Sequence, residues 1–194
     1  MKKLKIAVLI SGNGSNLQAL INSCRPNVSP VEIVCVISNE ASAYGLTRAK
    51  ESGIRTFVAP YLSTKSKQEN DQFVTYILNY FDVDLVCLAG FMKLFTNEFC
   101  ERWKGNLINI HPSLLPKYKG LDVYQRALDD NETVSGCTIH YVTAKMDDGP
   151  IIAQYQVPIN EGDTSEDLQK RILTMEHLIY PNVVYRIAHE RGFG

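Results

Sequence analysis

The 194-residue chain has no CxxC pair, no excess of either charge and no apolar run long enough to span a bilayer. Its five cysteines (Cys24, Cys35, Cys87, Cys100 and Cys137) are scattered and odd in number, and two of them sit inside apolar runs. That pattern excludes a disulfide framework and reads as reduced thiols packed in a core. No Cys/His spacing suits a metal, so none is expected. Lys and Arg total 20 against 21 Asp and Glu, for a formal net charge of −1. With no basic run there is no nucleic-acid or membrane footprint, and any anionic ligand must be held by a local site. The amino terminus passes from Met-Lys-Lys straight into a short strand pattern without a signal peptide, so a cytoplasmic protein is expected. The length suits a single domain, 1–194, with a core large enough to need no staples.

What is present is a βαβ rhythm. Lys5–Ile10, Val31–Ser38, Arg55–Val58 and Leu85–Ala89 are short apolar runs of the kind that buried parallel strands require. Between them, Leu17, Leu20 and Ile21 recur at helical spacing up to Cys24, and 43–52 reads as a helix closed by Gly53. A polar run at 63–68, with Lys65 and Lys67 as solvated charges, precedes a helix through Phe73, Ile77 and Tyr80. Thr96 or Asn97 caps a further helix reaching Trp103. After Leu107–His111, the segments Thr133–Thr143 and Ile151–Pro158 are spaced like a hairpin, which argues antiparallel strands at the sheet's edge. A short helix is expected near 124–128. Asp163 to Asp167 opens a last, capped helix that runs at least to Tyr180, where Pro181 breaks or kinks it. The expectation is an α/β, Rossmann-like, mostly parallel twisted sheet flanked by helices, with antiparallel strands in the C-terminal part. Its N-terminal half is about 1–105 and its C-terminal half about 106–194.

Three stretches carry chemistry. Ser11-Gly12-Asn13-Gly14-Ser15-Asn16 lies between a strand and a helix, where bare N–H groups and the helix dipole favour a phosphate. Leu17 stands where a dinucleotide fingerprint has its third glycine, no Walker lysine is present, and Ser38-Asn39-Glu40 supports a ribose-binding acid only weakly. Two readings remain: a site for a single phosphate, or a glycine turn with Ser15 or Asn16 capping the helix. Asn109 and His111, two residues apart on a strand, share one face before the stiff turn of Pro112 and Pro116. They are either hydrogen-bonded structural residues or an amide and imidazole placed to hold an oxyanion and move a proton. Asp147, in an Asp-Gly-Pro turn, either shapes the backbone or faces His111. The loop Gly90–Phe95 is unusually apolar for a strand end and either plugs the core or lines a pocket for a flat ligand. The segment 117–122 has the length and position of a lid.

These residues also carry a resemblance. Ser11–Asn16, Ala89-Gly-Phe-Met92, Asn109-Ile-His-Pro-Ser-Leu-Leu-Pro116, Thr138-Ile-His140, Met146-Asp-Asp-Gly-Pro150 and Glu176-His-x-x-Tyr-Pro181 follow the order seen in the folate-dependent formyltransferase superfamily. The glycine loop resembles the branch of phosphoribosylglycinamide formyltransferases in particular. The resemblance covers nearly the whole chain. It implies transfer of a formyl group from the co-substrate 10-formyltetrahydrofolate to the amine of glycinamide ribonucleotide in purine biosynthesis, with a formyltetrahydrofolate hydrolase as the alternative within the superfamily. It implies catalysis by Asn109, His111 and Asp147, and a ribonucleotide site at Gly14, Ser15, Asn16 and Glu176. It implies a folate site at Lys67, Met92, Lys93, Leu94, Phe95, Asn109, Thr143, Ala144, Lys145, Met146 and Asp147. Neither metal, nucleic acid nor membrane is implied, and the chain is expected to be a monomer or homodimer. Lys93 departs from the family pattern, standing where an Arg is often found, and 121–125 lacks the histidines of familiar bacterial members. Relatives often continue beyond Gly194 into a further strand, so a sheet edge that is bare or used for pairing with another subunit is also expected.

Overall fold

A computed structural model describes residues 2–25, 28–62 and 64–194. Of the polar run 63–68, Ser63 lies outside the described residues, as does Met1. Seven strands form one sheet in the order β3-β2-β1-β4-β5-β6-β7. They are β1 (Leu4–Ile10), β2 (Val31–Ser38), β3 (Arg55–Val58), β4 (Leu85–Leu88), β5 (Leu107–His111), β6 (Val134–Tyr141) and β7 (Ile151–Pro158). The first five pair in parallel, whereas β5–β6 and β6–β7 are antiparallel. The expected architecture is therefore the observed one, with β3 and β7 at the edges. The chain winds outward from β1 through β2 to β3, then returns to place β4 on the other side of β1. Loops after β1 and β4 consequently meet at the point where strand order reverses, the usual ligand crevice of such sheets.

Alternation along β1 divides the core. Leu4, Ile6, Val8 and Ile10 face one layer, Ala7 and Leu9 the other. The first layer is closed by α1 (Ser15–Ser23), α2 (Tyr44–Glu51), α5 (Val123–Asp129) and α6 (Ser165–Glu190). The second is closed by α3 (Lys67–Tyr80) and α4 (Asn97–Arg102), the latter bringing Phe99 and, just after it, Trp103.

At three places the structure decides between or refines what the sequence left open. The helix through 165–190 does not stop at Pro181: α6 runs 26 residues with Pro181 inside it. The ring removes one N–H from the ladder, at about 3 kcal/mol in a helix interior. The buried residues Ile179, Tyr180, Val183, Val184 and Ile187 hold both halves of the helix on the sheet, and the Tyr180 hydroxyl donates to the Leu88 carbonyl at 2.9 Å. In α3, Phe73 and Tyr80 lie outside while Asn70, Asp71, Val74, Ile77 and Leu78 face inward. Two polar side chains on the buried face, not visible as such in an apolar periodicity, account for the difference. Finally, neither Ser15 nor Asn16 caps α1; Gly14 occupies that position with φ +74° and no side-chain cap.

Candidate active site

Asn109 and His111 leave the same face of β5, and β6 supplies the residue beside them. In the antiparallel register Asn109 pairs with His140 and His111 with Thr138. The Thr138 hydroxyl donates to the Ser113 carbonyl at 2.6 Å and accepts the Leu115 N–H at 3.1 Å, so β6 also fixes the turn that follows His111. Asp147 arrives from the β6–β7 connection with φ +49°. Its carboxylate lies 3.5 Å from His111 Nδ1 and 3.7 Å from His140 Nε2. Sequence reasoning assigned no role to His140; only the strand register could have shown that it faces Asn109.

Hydrogen-bond accounting assigns the protons. The backbone carbonyl of Tyr141 lies 2.9 Å from His140 Nδ1, so that nitrogen donates and Nε2 is left to accept from the Asn109 amide at 3.3 Å. Burial holds the His140 imidazole below its ordinary pKa, which keeps it neutral. The amide is thereby oriented with one N–H on His140 and the other without a protein acceptor among the described residues. His111 Nε2 donates to the Tyr118 carbonyl at 2.9 Å, so the nitrogen facing Asp147 is Nδ1. Both neighbours of that ring are acceptors, an environment complementary to an imidazole with hydrogen on both nitrogens.

The segment 117–122 is bonded across this cluster. Gly120 N–H donates to Asp147 at 2.9 Å, Lys119 pairs with Asp148, and Arg126 donates to the Lys119 carbonyl at 2.8 Å. Asp147 thus shapes its own turn, faces His111 and fastens the covering loop together.

At the end of β1 the glycine loop is shaped by close approach. A side chain at Gly14 would meet Gly45 Cα at 2.7 Å, and Gly45 N–H donates to the Gly12 carbonyl at 3.0 Å. Among the described residues, the N–H groups of Ser15, Asn16 and Leu17 have no protein acceptor. They head a groove of about 560 Å³ whose lining includes Ser15, Gln18, Arg48 and His177. Two buried polar atoms at this place, Asn16 Oδ1 and His177 Nε2, also lack a partner among the described residues. Asn16 Nδ2 donates to Glu176 at 2.7 Å, and burial pushes the Glu176 carboxyl up to about 7, with the Asn16 bond opposing it. Glu176, 160 residues from Asn16 in sequence, therefore joins the glycine loop, as the resemblance implies. Arg48 and His177 were not singled out for this groove in the sequence.

Over the Asn109–His140–Asp147 cluster lies a narrow cleft of about 70 Å³, lined by Phe91, Lys93, Leu94 and Phe95 and by Val142, Thr143, Ala144, Lys145 and Met146. Asn109, His140 and Asp147 form its floor. Most of the expected folate residues are brought together here. Lys67, the first residue of α3, and Met92, which is exposed, lie outside the lining. Phe95 does both things the sequence left open, since it wedges into the core layer and lines the cleft.

Fold and cluster together define an α/β enzyme of the group-transfer class. A formyl transferase family profile matches residues 4–184. The phosphoribosylglycinamide formyltransferase of Escherichia coli (strain K12) is 42% identical over 188 residues, covering 97% of this chain and 89% of that protein. The trifunctional purine biosynthetic protein adenosine-3 of Bos taurus is 46% identical over 187 residues, which are 96% of this chain and 18% of that protein. The chain therefore spans less than a fifth of the length of such trifunctional relatives. The crystal structure of phosphoribosylglycinamide formyltransferase from Anaplasma phagocytophilum superposes with a TM-score of 0.91 at 45% identity, covering 97% of this chain and 88% of that one. The chain belongs to the formyl transferase family.

Proposed function

We propose that the protein transfers the formyl group of 10-formyltetrahydrofolate to the amine of glycinamide ribonucleotide, releasing formylglycinamide ribonucleotide and tetrahydrofolate in purine biosynthesis. The observation that carries this is the gathering of Asn109, His111, His140 and Asp147 at β5 and β6 of a sheet whose first strand leads into an uncapped helix amino terminus, where the Ser15, Asn16 and Leu17 N–H groups have no acceptor among the described residues. The ribonucleotide phosphate sits on the N–H groups of Ser15 and Asn16 after Gly14, and Glu176 takes the ribose hydroxyls. The flat ring of the formyl donor enters between Leu94 and Phe95 and the segment 143–146, with Lys67, Met92, Lys93 and Lys145 toward its outer, acidic end. The N-terminal half thus supplies the phosphate loop and one wall, and the C-terminal half the cluster and the other wall. Cytoplasmic location belongs to this reading; among the described residues no helix is long and apolar enough to cross a membrane.

The neutral amine attacks the formyl carbon, forming a C–N bond and a tetrahedral oxyanion. Asn109, through its second amide N–H, and His111, through Nδ1–H, stabilise that oxygen, and the Asp147 charge steadies the imidazole. Collapse breaks the bond from the formyl carbon to N10, while a proton passes from the attacking amine to the departing nitrogen. The formyl group arrives on its carrier, so the chain need supply no nucleophile.

The direct test follows tetrahydrofolate release by absorbance with and without glycinamide ribonucleotide, together with mass detection of the formylated product. Release that requires the ribonucleotide, with matching product, is the expected result. Equal release without it overturns the transferase reading in favour of hydrolysis.

A further inference from the structure

The wall of the cleft formed by residues 90–95 has little to hold it. Among the described residues no backbone–backbone hydrogen bond reaches this strap, which runs from the end of β4 to the cap of α4. Two side chains from elsewhere hold it. Ser11 accepts the Met92 N–H at 2.7 Å at one end. At the other, Asp71 Oδ2 accepts both the N–H and the hydroxyl of Thr96, each at 2.7 Å. Asp71 is buried on the inner face of α3, and its second oxygen takes the Tyr61 hydroxyl at 2.7 Å. Thr96 in turn caps α4 through the Phe99 N–H at 3.2 Å. The aromatic rings follow the same line: Tyr61 stands edge-on to Phe91 at 5.8 Å, and Phe91, Phe95 and Phe99 stack in sequence.

We infer that Asp71 is a positioning residue for the reaction: through Thr96 and Tyr61 it sets the strap that forms the apolar wall of the donor cleft. This rests on the proposed function for the identity of the cleft's ligand. Among the described residues this buried carboxylate makes no hydrogen bond to the catalytic cluster; two of its three bonds run to Thr96 at the strap's far end and the third to the Tyr61 ring packed on it. Three donors fall on two carboxylate oxygens; in an amide the NH2 group replaces one acceptor, so the Tyr61 hydroxyl must reverse to accept from it and a single, weaker amide oxygen is left for both Thr96 donors. Loosening this end lets Leu94 and Phe95 shift relative to the opposite wall, whereas the Gly14–Gly45 contact at the head of α1 and the Asn109–His140 pair, which do not touch Asp71, keep their own supports.

The test is steady-state kinetics with each substrate varied in turn on Asp71→Asn, and on Tyr61→Phe, which removes one bond and leaves the buried charge in place. Asp71→Asn is expected to raise KM for 10-formyltetrahydrofolate about tenfold, from loss of preorganisation. KM for glycinamide ribonucleotide is expected to stay within about twofold, as fits a group that acts only on the donor wall. Tyr61→Phe should move in the same direction by a smaller factor. Calorimetric titration of the unreactive 5-formyltetrahydrofolate should show the same weakening. Unchanged donor KM in both variants, or equal losses for both substrates, overturns the inference. If Asp71→Asn fails to fold, Tyr61→Phe decides alone. Failure of the wild-type protein to require the ribonucleotide is a separate result and overturns the proposed function, since the titration needs no acceptor.

Discussion

In the proposed mechanism the side chains at the end of β5 divide the work by hydrogen-bond capacity, and their substitution should read out accordingly. Asn109→Ala removes an oxyanion donor and should lower kcat by about 10²–10³. His111→Ala removes the second donor and should lower it by a similar factor, about 10²–10³, with the far-ultraviolet spectrum unchanged in both variants. Wild-type turnover in either variant would exclude the assigned role. Asn109 and His111 were legible because two polar residues at strand spacing interrupt an apolar run. His140 was not, because its importance lies in a register between strands 31 residues apart, which no local pattern encodes. Ser11 and Asp71 were hidden for the same reason, their partners being 81 and 25 residues away.

Among elements, the strands were the most readable, since β2 is an apolar run, β3 and β7 are short segments bounded by turn residues, and the limits of all three coincide with the expected ones. The helices were read less well where burial conflicts with local chemistry. The inner face of α3 carries Asn70 and Asp71, and α6 passes through a proline. The tie between α6 and the sheet gives a prediction at this scale. Tyr180→Phe leaves the buried Leu88 carbonyl without its partner and should destabilise the protein by about 1–3 kcal/mol in urea unfolding. At the head of α1, Gly14→Ala forces a side chain into the left-handed region, at about 1–2 kcal/mol, and against Gly45. It should weaken ribonucleotide binding more than donor binding, as separate KM measurements would show.

For the whole molecule, a near-neutral surface means that pH acts on stability through particular buried groups, of which Glu176 is one. Its carboxyl titrates near 7 in the folded chain against an ordinary value of 4.5. Between those limits the folded state holds a proton that the unfolded state has released, so the stabilisation is complete below about 4.5 and is lost as pH rises through about 7. The loss amounts to roughly 3 kcal/mol at most. Unfolding free energy measured across this range should fall with pH in the ligand-free protein, and the fall should shrink in Glu176→Gln. An identical slope in the variant would exclude Glu176 as its source. Order of strands and layering of helices belong to this scale too, and they were legible only as a class. The βαβ rhythm demanded a parallel sheet, but which loops meet at the reversal of strand order follows from topology.

The cleft between the two walls holds about 70 Å³, well short of the roughly 300 Å³ or more that drug-sized ligands occupy. On the proposed function, a donor of that size parts the walls or reaches out past the cleft's open mouth as it enters and leaves. Passage through that gate, governed by friction with the solvent, competes with bond-making for control of the turnover clock. In glycerol or sucrose solutions kcat should drop as the medium thickens, and a strap loosened at Asp71 should drop less.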